Sequence, residues 1–186
     1  MNAPVRPPLV LTDDQFEDMA RKGAFTKVGR VELRGGVIVA MSPVHLSHSR
    51  VTRELLFALT RAMASSSLPF EINAEITIRF GGGFQPTVDL VVWQPDPALV
   101  DGPIPGAAAR LVIEVADASL ADDLGGKLLD YAQTGLAEYW VADVKARMIV
   151  QNADPGPEGY ATRRLHPFGE TLAALTLPLA VDTSAL

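Results

Sequence analysis

Apolar positions along the 186-residue chain recur at two spacings, every three to four residues in some stretches and every second residue in others, and the changes of spacing mark its elements. Thr12-Asp13-Asp14 reads as a helix N-cap ahead of QFEDMARKGAF, with Phe16, Met19 and Ala20 at helical spacing and Gly23 ending the helix. VELRGGVIVAMSP holds two short β-prone runs about Arg34-Gly35-Gly36, the pattern of a hairpin. In HSRVTRELLFALTRAMA, with Ser47 as the expected cap, Val51, Leu55, Leu59 and Met63 recur every four residues and define one buried helical stripe. EINAEITIRF alternates as a half-buried strand, GGGFQP turns, and TVDLVVW and RLVIEV read as central strands. Leu124, Leu128 and Ala132 give the next helix its apolar face, with Gly135 where a C-terminal cap belongs. EYWVADVKARMIVQN reads as two strands with a tight turn near Val144 to Ala146, and YATRRL as one more. The expected organisation is a single domain over residues 1–186, with a Pro-rich N-terminal lead-in and a loosely specified tail ending in TLPLAVDTSAL.

Composition narrows the class. An apolar fraction of 48% with 20% charged residues is that of an ordinary globular chain. With no cysteine there is no disulfide framework, thiolate metal site or cysteine nucleophile, and a reducing cytoplasm is the expected setting. The start, MNAPVRPPLVLTDDQF, lacks the apolar core of a signal peptide, and no run of about twenty apolar residues predicts a membrane span. A net charge of −6 counts against a broadly basic surface of the kind that coats nucleic acid, though not against a local groove or a metal-bridged substrate.

Three of the predicted strands each set an acid among apolar neighbours: Glu32 in VEL, Asp89 in VDLVVW and Glu114 in LVIEVA. An ionised carboxylate is costly to bury alone, so each needs a cation, a metal or a hydrogen-bond cluster. If the Asp89 and Glu114 strands are neighbours, the two carboxylates can converge on one hard divalent ion, Mg²⁺ or Mn²⁺. Lys127 falls on the following helix, at the border of its apolar face and beside Tyr131, where its stem can carry the ammonium toward the acids. Each of these residues also has a plainer reading. Glu32 could pair with Arg30 or Arg34, Lys127 with Asp123 or Asp130, and His48, near a helix start, could be a surface residue. Ser119, Asp122 and Asp123 read as helix caps rather than ligands, and Tyr131, Tyr139 and Trp140 as packing residues. Gly81 to Gly83 is a turn and not a phosphate loop, since no Gly-Lys-Ser/Thr follows.

The order of an Asp, a Glu near the end of the next strand and then a Lys resembles the PD-(D/E)XK nuclease superfamily. More specifically, VELRGGVIVAMSP…H, PTVDLVV and LVIEVADAS…DD…K…YAQTGLAEYWVAD resemble the Uma-two family of restriction endonucleases, from about Val31 to Asp143. The resemblance implies an α/β fold of the α+β kind, with a restriction-endonuclease-like core in which helices flank a central mixed β-sheet. It implies Asp89 and Glu114 as metal ligands and Lys127 as the catalytic lysine, with Glu32 and His48 in support. Position 116, where the superfamily's usual E-x-K sets its lysine, is Ala116, so the lysine would have moved onto the helix. The expectation is a Mg²⁺-dependent endonuclease acting on nucleic acid, DNA first. In it the backbone carbonyl of Val115 adds a metal ligand, Tyr131 borders the site, and a homodimer addresses two strands. Two alternatives stand beside it: a non-catalytic module that keeps the fold and uses its acidic pocket for binding, and a hydrolase of a small phosphorylated ligand.

Overall fold

The computed structural model describes residues 9–186; most of the Pro-rich lead-in, residues 1–8, lies outside the described residues. Helix α1 (Asp13–Arg21) starts at Thr12, whose side chain accepts from the Gln15 amide while the Gln15 side chain accepts from the Thr12 amide, a reciprocal capping box. Strands β1 (Val31–Arg34) and β2 (Val37–Ala40) form the expected hairpin, but as a two-stranded sheet of their own. It is tied to the rest by a backbone bridge, Leu33 with Gln85, in which each amide donates to the other's carbonyl at 3.1 and 2.8 Å.

The central sheet has seven strands in the order β5-β3-β4-β6-β7-β8-β9. They are β3 (Glu71–Arg79), β4 (Thr87–Trp93), β5 (Ile104–Pro105), β6 (Ala109–Ala116), β7 (Glu138–Asp143), β8 (Met148–Gly156) and β9 (Gly159–Pro167). Most neighbours are antiparallel; β6 and β7 run parallel, as β3 and β5 do. A parallel pair cannot be joined by a tight turn, and the β6-to-β7 crossover is the segment that carries Lys127. Tertiary structure thus sets the lysine over the strand that bears Glu114.

Two apolar layers cover the sheet. Helix α2 (Leu46–Ala64) lays Leu55 and Leu59 on one face, against Leu90, Leu111, Ile113 and Trp140. The crossover covers the other face with Tyr131 and Leu136 against Val91, Val112 and Tyr139. Two expectations change here. Ser47 does not cap α2: the N-cap is His45, and Ser47 Oγ instead donates to Asp117, because the chain enters the helix two residues earlier. The tail expected to be loose forms a hairpin, β10 (Thr171–Ala173) with β11 (Ala180–Asp182), which adds buried Leu172, Leu179 and Val181 to the α2 face. Alternating single apolar residues in so short a segment are a weak strand signal, and only the exposed apolar face of the sheet makes the hairpin necessary. Among the described residues no helix is long and apolar enough to cross a membrane.

Candidate active site

The ladder between β4 and β6 pairs Leu90 with Ile113, and one further step sets Asp89 opposite Glu114. Directly opposed residues of an antiparallel pair share a face of the sheet, so both carboxylates emerge together at the end of the ladder. Asp89 Oδ2 accepts from the Val115 amide at 2.7 Å and lies 3.1 Å from His48 Nε2, on the first turn of α2. A strand residue turns its N–H and C=O to the same edge, so the Val115 carbonyl also faces the Asp89 side. Glu114 is held from the crossover: its Oε1 accepts from Lys127 Nζ at 3.2 Å and from the Tyr131 hydroxyl at 2.8 Å. Lys127 Nζ lies in turn 3.4 Å from Glu32 Oε2, on the separate hairpin. Five elements of the chain therefore converge on one point.

The cluster is dry. Glu32 and Glu114 are each 4% exposed and Lys127 is 7% exposed. Burial pushes the Glu114 carboxyl up to about 8, with Lys127 opposing the rise and the Asp89 charge adding to it. Burial also works against the Lys127 ammonium, but Glu114, Glu32 and Asp123 outweigh it and hold the amine above its ordinary range. Lys127 is therefore the member of the pair whose charge its surroundings favour, and Glu114 the one whose ionisation burial opposes. His48 is raised above its usual value by its hydrogen bond to Asp89, against partial burial. Glu32 Oε2, buried and 3.4 Å from the Lys127 ammonium, has no hydrogen-bond partner among the described residues, which an internally satisfied core does not leave. Asp89 Oδ1 and Glu114 Oε2 likewise make no hydrogen bond among the described residues.

Glu32, His48, Asp89, Glu114, Val115 and Lys127 all line one cavity of about 200 Å³, and Tyr131 lies beneath it as the partner of Glu114. The helix after Asp122 departs from its predicted form. It is two helices, α3 (Leu120–Asp123) and α4 (Gly126–Gln133), broken at Leu124-Gly125. The break turns Asp123 inward to 2% exposure, where its carboxylate lines the cavity and accepts from Ser119 Oγ at 2.5 Å. Burial raises its pKa, and the Ser119 bond works the other way. Asp123 is thus a residue of the site and not a solvent-facing cap, and Ser119, at the N-cap of α3, gives its hydroxyl to Asp123 instead of the backbone. The signal was Gly125-Gly126: a Cβ on Gly125 would meet the Ala121 carbonyl at 2.6 Å, so the pair permits a kink that a continuous helix would not need. The plain pairing of Lys127 with Asp130 does not form, because Asp130 is engaged by Arg34. No three His, Cys, Asp or Glu side chains stand together in metal-binding geometry among the described residues.

A mixed sheet with helices on both faces, and a strand-end cluster of acids with a lysine beside them, is a restriction-endonuclease-like arrangement. The crystal structure of a "putative nuclease belonging to DUF820" from Anabaena variabilis has the same fold: the TM-score is 0.68 at 14% identity, over 95% of this chain and 96% of that one. A family model described as "Putative restriction endonuclease", Uma2, matches residues 13–184, and the chain belongs to this family. No curated protein matches the chain. Family membership and fold together support a nuclease.

Proposed function

We propose that the protein is a metal-dependent endonuclease that hydrolyses phosphodiester bonds, with DNA as its substrate and Asp89, Glu114 and Lys127 as its catalytic residues. The observation that carries this reading is the placement of Asp89 opposite Glu114, one step past the Leu90–Ile113 pair of the β4–β6 ladder, with the Lys127 ammonium 3.2 Å from Glu114 in a buried pocket. The donor set suits a hard divalent cation. It consists of carboxylate and carbonyl oxygens, and one oxygen of each carboxylate is left without a hydrogen bond. Asp89, Glu114 and the Val115 carbonyl would hold Mg²⁺ or Mn²⁺, which when bound lowers the pKa of a coordinated water and neutralises phosphate charge.

The chain's own groups have separate tasks. His48 and the Val115 amide fix one oxygen of Asp89, which leaves the other directed at the pocket. Tyr131 does the same for Glu114 and orients it from below. Lys127, charged and shielded from water, stabilises negative charge that develops on the phosphate oxygens in the transition state, where low dielectric strengthens its field. A homodimer would present two such sites to the two strands of a duplex. Purified protein is to be incubated with single- and double-stranded DNA and RNA, with Mg²⁺, with Mn²⁺ and with chelator. Metal-dependent cleavage that Lys127→Met and Asp89→Asn abolish is the expected result. Absence of cleavage of every polymer under both metals would overturn it.

A further inference from the structure

Arg34 lies outside the pocket lining, and its side chain is only 18% exposed. From β1 it reaches both halves of the broken crossover helix. Its Nη1 donates to Asp122 Oδ2 at 2.7 Å, at the end of α3. Its Nε and Nη2 donate to Asp130 Oδ2 at 3.1 and 2.8 Å, in the middle of α4. The guanidinium thus spans the Leu124-Gly125 break, and the two aspartates it holds stand on either side of Lys127 in the chain. Gly126, next to that lysine, leaves the room: a Cβ there would lie 2.9 Å from Arg34 Nη2 and 3.2 Å from Asp122 Oδ1. On its own strand Arg34 is two residues from Glu32, so both side chains leave the same face of β1. The next residue inward, Leu33, makes the backbone bridge to Gln85.

The geometry points to Arg34 as a positioning residue of the active site, a three-way clamp of β1, α3 and α4 that holds the Lys127 ammonium between Glu114 and Glu32. The inference rests on the proposed role of Lys127. The physical reason lies in the construction. The hairpin that supplies Glu32 is not part of the central sheet, and the helix that supplies Lys127 is interrupted just before it. Neither element is held in register with the other by a backbone ladder. A bidentate, planar cation that binds one carboxylate on each side of the break can fix both at once, and an ammonium, which is a point charge, cannot. The clamp touches none of the reacting groups; it acts through Glu32 and Lys127.

Its test has two readouts. The chain has four lysines, Lys22, Lys27, Lys127 and Lys145, and the other three are exposed, so the buried ammonium of Lys127 can be followed by ¹⁵N NMR and assigned by its loss in Lys127→Arg. In the wild type its protons are to exchange more slowly with water than those of the three exposed lysines. In Arg34→Met, and in Arg34→Lys, which keeps the charge but loses the fork, exchange is to accelerate by about tenfold or more. Gly126→Ala, which crowds the guanidinium without removing it, is to move in the same direction and serves in place of Arg34→Met should that variant not fold. On the cleavage side, Arg34→Lys is to lower kcat by about a hundredfold with KM within about twofold, and to add nothing in a Glu32→Gln background. Unchanged Lys127 exchange in a folded Arg34→Lys or Gly126→Ala protein overturns the clamp. Absence of cleavage by the wild type overturns the nuclease reading alone, and the exchange measurement still decides the clamp.

Discussion

Glu138 and Glu114 stand on neighbouring parallel strands, β7 and β6, and both are carboxylates buried in apolar surroundings, yet they are satisfied in different ways. Glu138 is fully buried and accepts from Trp140 Nε1 at 2.6 Å, from the Leu175 and Thr176 amides at 2.8 to 2.9 Å and from Thr176 Oγ1 at 2.8 Å. Both of its oxygens are used, and every donor is neutral and fixed by the fold. Glu114 uses one oxygen, on a lysine that a second buried acid shares and on a tyrosine. A carboxylate wrapped in neutral donors pins the tail to the sheet and has nothing left for a ligand. A carboxylate with an unused oxygen, an opposed ionisation and a counter-charge shared with a second acid has capacity for chemistry. Burial of an acid is thus not what marks the site; incomplete satisfaction is.

The largest difference is expected in turnover. Lys127→Met is to lower phosphodiester cleavage by about 10²–10³-fold, while folded Glu138→Gln retains it within about twofold. Steady-state assays on both variants would collapse the contrast if Glu138→Gln proved equally inactive. In stability the order reverses. Glu138→Ala leaves two backbone amides and an indole N–H without their acceptor and is to cost about 3 kcal/mol or more. Glu32→Gln removes an acid that meets Lys127 at 3.4 Å without a hydrogen bond, while Glu114 still holds the ammonium, and the stability read from urea unfolding is to fall by less than about 1 kcal/mol. A larger loss for Glu32→Gln than for Glu138→Ala would show that the site cluster, too, is structural. Gly125→Ala drives a Cβ against the Ala121 carbonyl at 2.6 Å and is to cost about 1–3 kcal/mol, with the loss read by thermal melting. A neutral result there would mean that the α3–α4 break is not imposed by that glycine.

The smallest effect concerns pH. Because Asp89 raises the His48 pKa in the folded chain, the pair's contribution to stability is complete below the unfolded value near 6.5 and fades as pH rises through the folded value. In metal-free protein, NMR titration of the His48 ring should report a pKa above 6.5 that falls in Asp89→Asn. A His48 that titrates identically in both proteins would separate the two residues.

Much of this arrangement is legible in the chain. Spacing every four residues placed Val51, Leu55, Leu59 and Met63 on one helix, and the acids at 89 and 114 stood out because β-branched runs do not accept unpaired charge. Helical spacing brought Lys127 toward them, and resemblance to the nuclease family added its role as the catalytic lysine. Asp123 reads as a cap because its neighbours Asp122 and Ser119 look like caps, and a local pattern does not tell a continuous helix from one broken by Gly125. Arg34 reads as a possible mate for Glu32 on its own strand, whereas the fold gives it Asp122 and Asp130 of the crossover and gives Glu32 the Lys127 ammonium. The tail hairpin escaped for a similar reason: three-residue strands carry too few positions to show a period.

By itself, then, the sequence determined the elements with long, regular periods and the identity of the acids that could not be left alone in them, because those follow from short-range sterics and from the cost of desolvating charge. Only the tertiary structure decided which partners those acids obtain. The parallel register of β6 and β7 forces the crossover over Glu114 and so brings Lys127 to it. The separate hairpin delivers Glu32 to Lys127, and α2 delivers His48 to Asp89, from positions 41 residues or more away in the chain from the partners they meet. Such contacts depend on closing long loops and on the shape of the packed sheet, which no local window of the sequence encodes.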